Sequence, residues 1–420
     1  MEQLSNKKTL IVNYSGLKIG GIEIFFVKLM RHSLDKGYRV IWLTNESQIE
    51  EAFPRDLIED KRLEKIISGS GRRLFKRRSV TFSHDEDVTM LSCEPLHFIA
   101  GEEIRRKAKV ESFFHFLILP HFTGNAYYLE RYFGNGVLNR LCFKYMKKLV
   151  SIWEKEGCIL AFSKQHLDAY EKNYRVTICD KNNKVLKKIE ERRDIEKERI
   201  VNKSQERKNK FSIITCSRFD FPHKGYILGL IKTFAHLKGH YPELNLTIVG
   251  YGEGEKILKE EVAKLPEGVG SAINFTGALL LEELNQAFEN STLNIGVAGA
   301  LLAGAKCAVP SIPVRHYSYN CEGYGFLEDA RSMCLSSEEG QPIEKYILET
   351  IQMTDEEYIM HALAAYESAY ESHDTDPDFV FRKSNAHSNA TTTLIQAIIA
   401  RVINLACWFL VRFKGAKGYE

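Results

Sequence analysis

A pattern of short apolar runs alternating with amphipathic helical stretches opens the chain and restarts near residue 211. That restart constrains the fold more than any other feature. "TLIVNY" (9–14) is a run of strand formers that leads into "SGLKIGG". Residues 22–36 then place Ile22, Phe25, Phe26, Leu29 and Met30 on one face at helical spacing. Gly37 ends the helix, and "YRVIWLT" (38–44) supplies the next strand. A βαβ opening predicts a parallel sheet with right-handed crossovers. Further on come a strand in "VESFFHFLILP" (110–120), a helix near 137–156, a strand in "CILAFS" (158–163) and another helix. The second series runs through strands "FSIITCS", "LNLTIVG", "AINFTG" and "LNIGV". Its helices are 225–239, "EKILKEEVAKL", "LEELNQAF" and "LLAGAKCA".

At 420 residues the chain exceeds one ordinary core, so two domains are expected. The boundaries read as a Rossmann-like domain at 1–175, a charged glycine-free linker at 176–210 and a second Rossmann-like domain at 211–370. A return segment with an amphipathic terminal helix follows at 371–420. The fold class is α/β, two doubly wound domains in tandem. Ligands bind beyond the carboxyl ends of strands in such sheets, so the expected site is a central cleft that both domains face.

Net charge is only +3, which argues against wholesale nucleic-acid binding. Its distribution is uneven. Residues 181–210 hold twelve Lys/Arg against six Asp/Glu, and "RRLFKRR" (72–78) packs five cations into seven positions. Both runs read either as solvated segments or as contacts for an anionic membrane surface. The nine cysteines lack metal-ligand spacing, and Cys142, Cys158, Cys216 and Cys307 lie in apolar runs. A reducing cytosol is expected, without disulfides or structural zinc. No signal peptide or spanning segment is expected either. In "TTTLIQAIIARVINLACWFLVRF" (391–413), Gln396, Arg401, Asn404 and Arg412 fall within one arc of the helix. Such a helix docks on the protein's own surface or lies in a membrane interface. The expected location is the cytoplasm, with the inner face of the cell membrane as a surface for peripheral contact.

Three loops carry candidate chemistry. "SGLKIGG" offers Gly16, Gly20 and Gly21, which let backbone N–H groups approach an anion, although glycine in a βα turn also serves positive φ alone. "CSRFDFPHKGYILGL" (216–230) sends Arg218 and Lys224 from a strand end toward a helix start, a pair suited to a diphosphate. "LNIGVAGALLAGAKCAVPSIPV" has small residues at Gly296, Ala298, Gly299 and Ala300, with Leu301 following at the helix start. They admit a phosphate or ribose, or else serve close helix–sheet packing. A dinucleotide reading of "VGYGEGEKI" is poor, because Gly250, Gly252 and Gly254 follow a late strand and the motif is too short.

"YSGLKIGGIEIFFVKLMRHSLDKGYRVIWLT" and "ITCSRFDFPHKGYILGLIKTFAHLKGHYPELNLTIVGYGEG" together resemble the retaining GT-B glycosyltransferases of the "glycosyl transferases group 1" type, in their bacterial surface-polysaccharide branch. "INFTGAL" and "GAKCAVPSIP" also correspond to stretches of that family. The resemblance covers residues 8–45 and 211–328 well and the region between loosely. It implies that Arg218 and Lys224 grip the diphosphate of a nucleotide-sugar donor, UDP-linked by expectation, and that Gly20 and Gly21 lie beside the transferred sugar. Backbone near Thr276 and Gly277 would receive the base, and Gly299, Ala300 and Leu301 complete the donor-binding set.

Two histidines in "FFHFLILPHFTGN" compete for the family's place near the sugar 6-position. His121 at the strand end is preferred, and His115 at mid-strand reads as a core residue. No DxD cluster stands at a strand end, and Asp85 and Asp87 in "HDEDV" lie in a polar stretch, so neither a metal nor another cofactor is expected. One departure stands out. The family's Glu-x7-Glu pair falls on Ile295 and Ala303 here, with Glu322 as a conceivable substitute from the next loop. The resemblance implies a metal-independent, hexosyltransferase-like enzyme. It would move sugar with retention onto a glycan or lipid-linked saccharide in surface-polysaccharide or capsule synthesis. The competing reading is a catalytically silent partner that stabilises or regulates an active glycosyltransferase.

Overall fold

The structure is a computed structural model, and it describes residues 7–14, 21–44, 54–67, 80–93, 95–120, 122, 134, 136–189, 195–330, 340–371, 373–374 and 378–382. The terminal stretch 391–413 and the basic run 72–78 lie outside the described residues. The chain divides into two compact units. One is Met1–Glu191 with His373–Glu420, and the other is Arg192–Ser372.

In the first unit the elements are β1 (Lys7–Asn13), α1 (Gly21–Asp35), β2 (Arg39–Thr44), α2 (Arg55–Glu59), β3 (Leu63–Ile67), β4 (Glu86–Cys93) and α3 (Pro95–Lys107). They continue as β5 (Ser112–Ile118), α4 (Val137–Lys155), β6 (Ile159–Leu160), α5 (Lys164–Tyr174), α6 (Lys181–Lys184) and β7 (Lys188–Ile189). The six-stranded sheet has the order β3-β2-β1-β4-β5-β6, with parallel pairing throughout. Alternate side chains go to opposite faces: Leu10 and Val12 join Phe25, Phe26, Leu29 and Trp42, while Ile11 joins Ile41, Val88 and Met90. Both faces are buried, as a parallel sheet requires. The chain returns to this unit late. His373–Asp374 pairs with β7, Phe381 is buried beside Leu186 and Tyr38, and the Asp378 carboxylate pairs with Lys8 at 3.2 Å.

In the second unit α7 (Lys197–Lys208) precedes β8 (Ser212–Cys216), α8 (Tyr226–Lys238), β9 (Asn245–Val249), α9 (Glu255–Ala263) and α10 (Glu267–Gly270). Then come β10 (Ile273–Gly277), α11 (Leu281–Glu289), β11 (Leu293–Gly296), α12 (Ala298–Lys306), β12 (Ser311–Pro313), α13 (Ile343–Gln352) and α14 (Asp355–Ser368). The five parallel strands run β10-β9-β8-β11-β12. The order therefore reverses between β8 and β11. Crossovers leave this sheet in opposite directions there, which opens a crevice at the carboxyl ends of the two strands.

Two stretches differ from what composition suggests. The charged segment 176–210 contains α7, whose Ile200 is buried with Ala308, Ala362 and Tyr366. Its Arg207, 1% exposed, donates to the carbonyls of Cys307 and Ala308 just past the end of α12, where a helix favours a cation. The polar "HDEDV" runs into β4, which begins at its Glu86. Glu86 is tolerated inside because Thr9 Oγ1 at 2.8 Å, the Ser83 N–H at 3.0 Å and the Arg39 guanidinium all donate to it. Burial pushes its pKa up, but these donors together hold it below the ordinary carboxylate range. Among the described residues no helix is long and apolar enough to cross a membrane, and seven cysteines are free thiols.

Candidate functional site

The loop after β8 is held open by contacts to the loops on either side. The Ser217 N–H donates to Val249 O (3.0 Å) and the Phe219 N–H to Tyr251 O (2.8 Å), while Phe219 O accepts from the Gly254 N–H (2.9 Å). This closeness explains the glycines of "VGYGEG". Gly250 has φ +137°, and a Cβ there would lie 1.8 Å from Ser217 O. These glycines let two backbones pack; they do not make a dinucleotide fingerprint. Phe219 and Phe221 enter the core, and Arg218 just before them stays half-buried. Beyond them Asp220 O accepts from the Lys224 N–H (2.8 Å) and Pro222 O from the Gly225 N–H (3.0 Å), turning the chain into α8.

Among the described residues no carboxylate lies within ion-pair distance of Arg218. Lys224 is also half-buried. Burial pushes the nearby Cys216 thiol up to about 11, with the Lys224 ammonium pulling it the other way.

Small residues also admit the loop after β12. A Cβ on Gly225 would lie 2.7 Å from Ser318 O, and one on Gly229 would lie 2.4 Å from Cys321 N. Across this contact Tyr317 donates its N–H to His223 O (3.0 Å) and stacks on the His223 ring at 4.6 Å, with His316 edge-on to both. Sequence reasoning missed this aromatic cluster. The signal was available in His223, one residue before Lys224, and in the "RHYSY" run.

On the other side of the reversal, β11 ends at Gly296 and α12 begins at Ala298, a non-glycine residue at φ +52°. Gly299 is exposed with open space where a Cβ would stand, and Ala300 is half-buried. The first-turn N–H groups of α12 have no partners within the helix, and its dipole favours an anion. Leu301 is fully buried, and its carbonyl accepts from Asn294 Nδ2 at 3.0 Å, so only its backbone N–H can serve a ligand. Thr276 and Gly277 close the end of β10. Thr276 Oγ1 donates to Gly277 O (3.1 Å), which also accepts from the Gly250 N–H (2.9 Å). The topology thus brings Arg218, Lys224, Thr276, Gly277, Gly299 and Ala300 to one edge of one sheet. Ile295 is fully buried and Ala303 packs toward Ile214 and Val249. Glu322 is engaged by Arg315 at 3.0 Å.

In the first unit Gly21 is the exposed first residue of α1, while Gly20 and His121 lie outside the described residues. His115 is fully buried in a polar chain. Asn13 Nδ2 donates to Ser92 Oγ (2.9 Å) and to His97 O (2.6 Å), Ser92 Oγ meets His115 Nε2 (2.8 Å), and His115 Nδ1 meets Glu102 Oε1 (2.6 Å). Burial holds the His115 pKa below its ordinary value against the pull of Glu102. Burial pushes Glu102 the other way, but the bonds from His115 and Arg105 outweigh it and keep it a carboxylate. Neutral His115 satisfies every link: Nδ1–H donates to Glu102, and Nε2 accepts the Ser92 hydroxyl proton. Gly101 makes room, since a Cβ there would lie 2.6 Å from the imidazole. Among the described residues no cluster of His, Cys, Asp and Glu could hold a metal ion.

The chain matches no protein-family model and no curated protein sequence. Solved structures do match along almost its whole length. WaaG, a glycosyltransferase involved in lipopolysaccharide biosynthesis, aligns with a TM-score of 0.51 at 13% identity, over 91% of this chain and 100% of WaaG. S. aureus TarM, solved as a point mutant in complex with fondaparinux, α-GlcNAc-glycerol and UDP, aligns with a TM-score of 0.57 at 9% identity, over 91% of this chain and 100% of TarM. The N-terminal domain of a Candida albicans trehalose-6-phosphate phosphatase gives 0.56 at 12%, over 92% and 98%. The chain therefore has the GT-B type of fold, with two Rossmann-like parallel-sheet domains. The third match is named for a different chemistry, so the reaction has to be argued from the site.

Proposed function

We propose that this protein is a glycosyltransferase that takes a sugar from a nucleotide-sugar donor, UDP-linked, and transfers it with retention to a glycan or lipid-linked saccharide of a surface polysaccharide. The observation that carries the reading is the β8 loop, which presents Arg218 and Lys224 at the β8/β11 reversal beside the first turn of α12. Sugar transfer requires charge stabilisation on the departing diphosphate, and fixed cations with a helix N-terminus supply it without a metal. In this reading Arg218 holds the diphosphate bidentately and Lys224 meets the developing charge as a point cation. Backbone at Gly299, Ala300 and Leu301 binds the phosphates or ribose, and Thr276 and Gly277 flank the base. The first unit serves the acceptor, with Gly20 and Gly21 near the transferred sugar and His121 near its 6-position. The transfer would take place in the cytoplasm, at the inner face of the cell membrane.

A second reading has one specific observation behind it. Ile295 and Ala303 offer no carboxylate for the ribose, and Glu322 is already paired with Arg315. A descendant that keeps the fold and stabilises an active glycosyltransferase would tolerate both. Incubation with a panel of nucleotide sugars and lipid-linked saccharides, with nucleoside diphosphate release as the readout, separates the two. The enzyme reading predicts release that the Arg218→Ala/Lys224→Ala variant abolishes, with the anomeric configuration of the product kept. Nucleotide binding without release across the panel favours the silent partner.

A further inference from the structure

The basic run 181–210 is one of the stretches where sequence suggests membrane contact, yet among the described residues several of its cations are engaged within the protein. Lys181 pairs with Asp168 and Glu171 at 2.5 Å, Lys184 with Glu154 at 2.5 Å and Lys208 with Asp355 at 2.6 Å, while Arg207 is buried. Helix α4 in the first unit is the opposite case. Residues 137–153 carry Arg140, Lys144, Lys147 and Lys148 and no acidic residue. Among the described residues none of these four cations pairs with a carboxylate. The face bearing Cys142, Leu149, Val150 and Trp153 is buried. Val137, Leu141, Lys144 and Lys148 share one exposed stripe at helical spacing. On the first turns Val137, Leu138 and Leu141 are 64%, 58% and 57% exposed, an apolar cluster next to Arg140.

From this juxtaposition we infer that α4 is a docking surface for an anionic lipid bilayer. Valine and leucine at the helix tip enter the headgroup region, and the lysines lie along the charged surface with their stems against it. Charge complementarity selects the occupant: four unneutralised cations beside exposed aliphatic residues suit anionic headgroups above acyl chains. The surface is independent of the transfer chemistry, because its binding needs no nucleotide.

The test is flotation of the full chain with vesicles of pure phosphatidylcholine and of phosphatidylcholine containing one-third phosphatidylglycerol. The native chain should float with the anionic vesicles only. Lys144→Gln/Lys147→Gln/Lys148→Gln should weaken partitioning by roughly five-fold for each charge removed. Leu138→Ser/Leu141→Ser should weaken it by about ten-fold in all. Lys256→Gln/Lys259→Gln/Lys264→Gln, which removes as many charges from the second unit, should bind as the native chain does. Circular dichroism checks that each variant is folded. The inference fails if the α4 variants float as well as the native chain, if the control triple weakens binding equally, or if neutral vesicles bind as tightly. It fails also if the native chain sediments as a dimer that Leu138→Ser/Leu141→Ser dissociates, since α4 would then face a second copy.

Discussion

Both sheets reverse their strand order, between β1 and β4 in one unit and between β8 and β11 in the other, and the same topology is finished in two ways. At the first reversal the polar groups satisfy one another. Asn13, Ser92, His115 and Glu102 form an unbroken buried chain that ends on Arg105. At the second, glycines let the loop backbones pack directly on one another, and Arg218 is left without a carboxylate among the described residues. A polar group neutralised within the chain stabilises the fold. One left half-buried and unneutralised points to a ligand, because the protein gains nothing from it alone.

The comparison is breakable by substitution. The largest effect should come from Gly250→Ala, which forces a side chain at φ +137° against Ser217 O. Urea unfolding should show a loss of at least about 3 kcal/mol, with nucleotide binding lost along with the loop. Glu102→Ala should cost about 3 kcal/mol by removing the buried carboxylate that accepts from His115 and Arg105, while the nucleotide affinity of the folded protein stays unchanged. Arg218→Ala should do the reverse. Its stability should stay within about 0.5 kcal/mol of native, and its diphosphate affinity should fall by about 2 kcal/mol, roughly 30-fold.

The smallest effect is in pH, and its sign differs between two histidines. The folded-state pKa of His115 is lowered by burial, so its contribution is present above the ordinary histidine value and is lost as pH falls through that value toward the folded one. His361 is bonded to Glu328 at 2.6 Å, and that bond raises its pKa. Its contribution is present below the ordinary value and is lost as pH rises through the raised one. Urea midpoints of His115→Gln and His361→Gln measured across pH should therefore converge on native at opposite ends, the first in acid and the second in mild alkali.

The alternating elements from β8 to α12, apart from the short α10, were legible because each apolar run is bounded by turn residues and each helix carries one apolar face. Between residues 46 and 109 the reading lost α2, β3, β4 and α3. β4 opens on "EDVT", and Glu86 is held there by hydrogen bonds that only the folded sheet supplies. Arg207 escaped for the same reason. A charged residue in a charged stretch looks solvated until the carbonyls of Cys307 and Ala308 are brought to it. At the candidate site the residue types were visible in "CSRFDFPHKG". What the glycines of "VGYGEG" do was not, because it depends on a contact between loops more than thirty residues apart.

The central claim is that the β8 loop holds a diphosphate. Calorimetric titration of the native chain with UDP and with uridine, repeated on Arg218→Ala/Lys224→Ala, tests it most directly. The account predicts that UDP binds the native chain, that uridine binds far more weakly, and that the double variant no longer distinguishes the two. Undiminished UDP binding by the double variant, or no binding of any nucleoside diphosphate by the native chain, would contradict it.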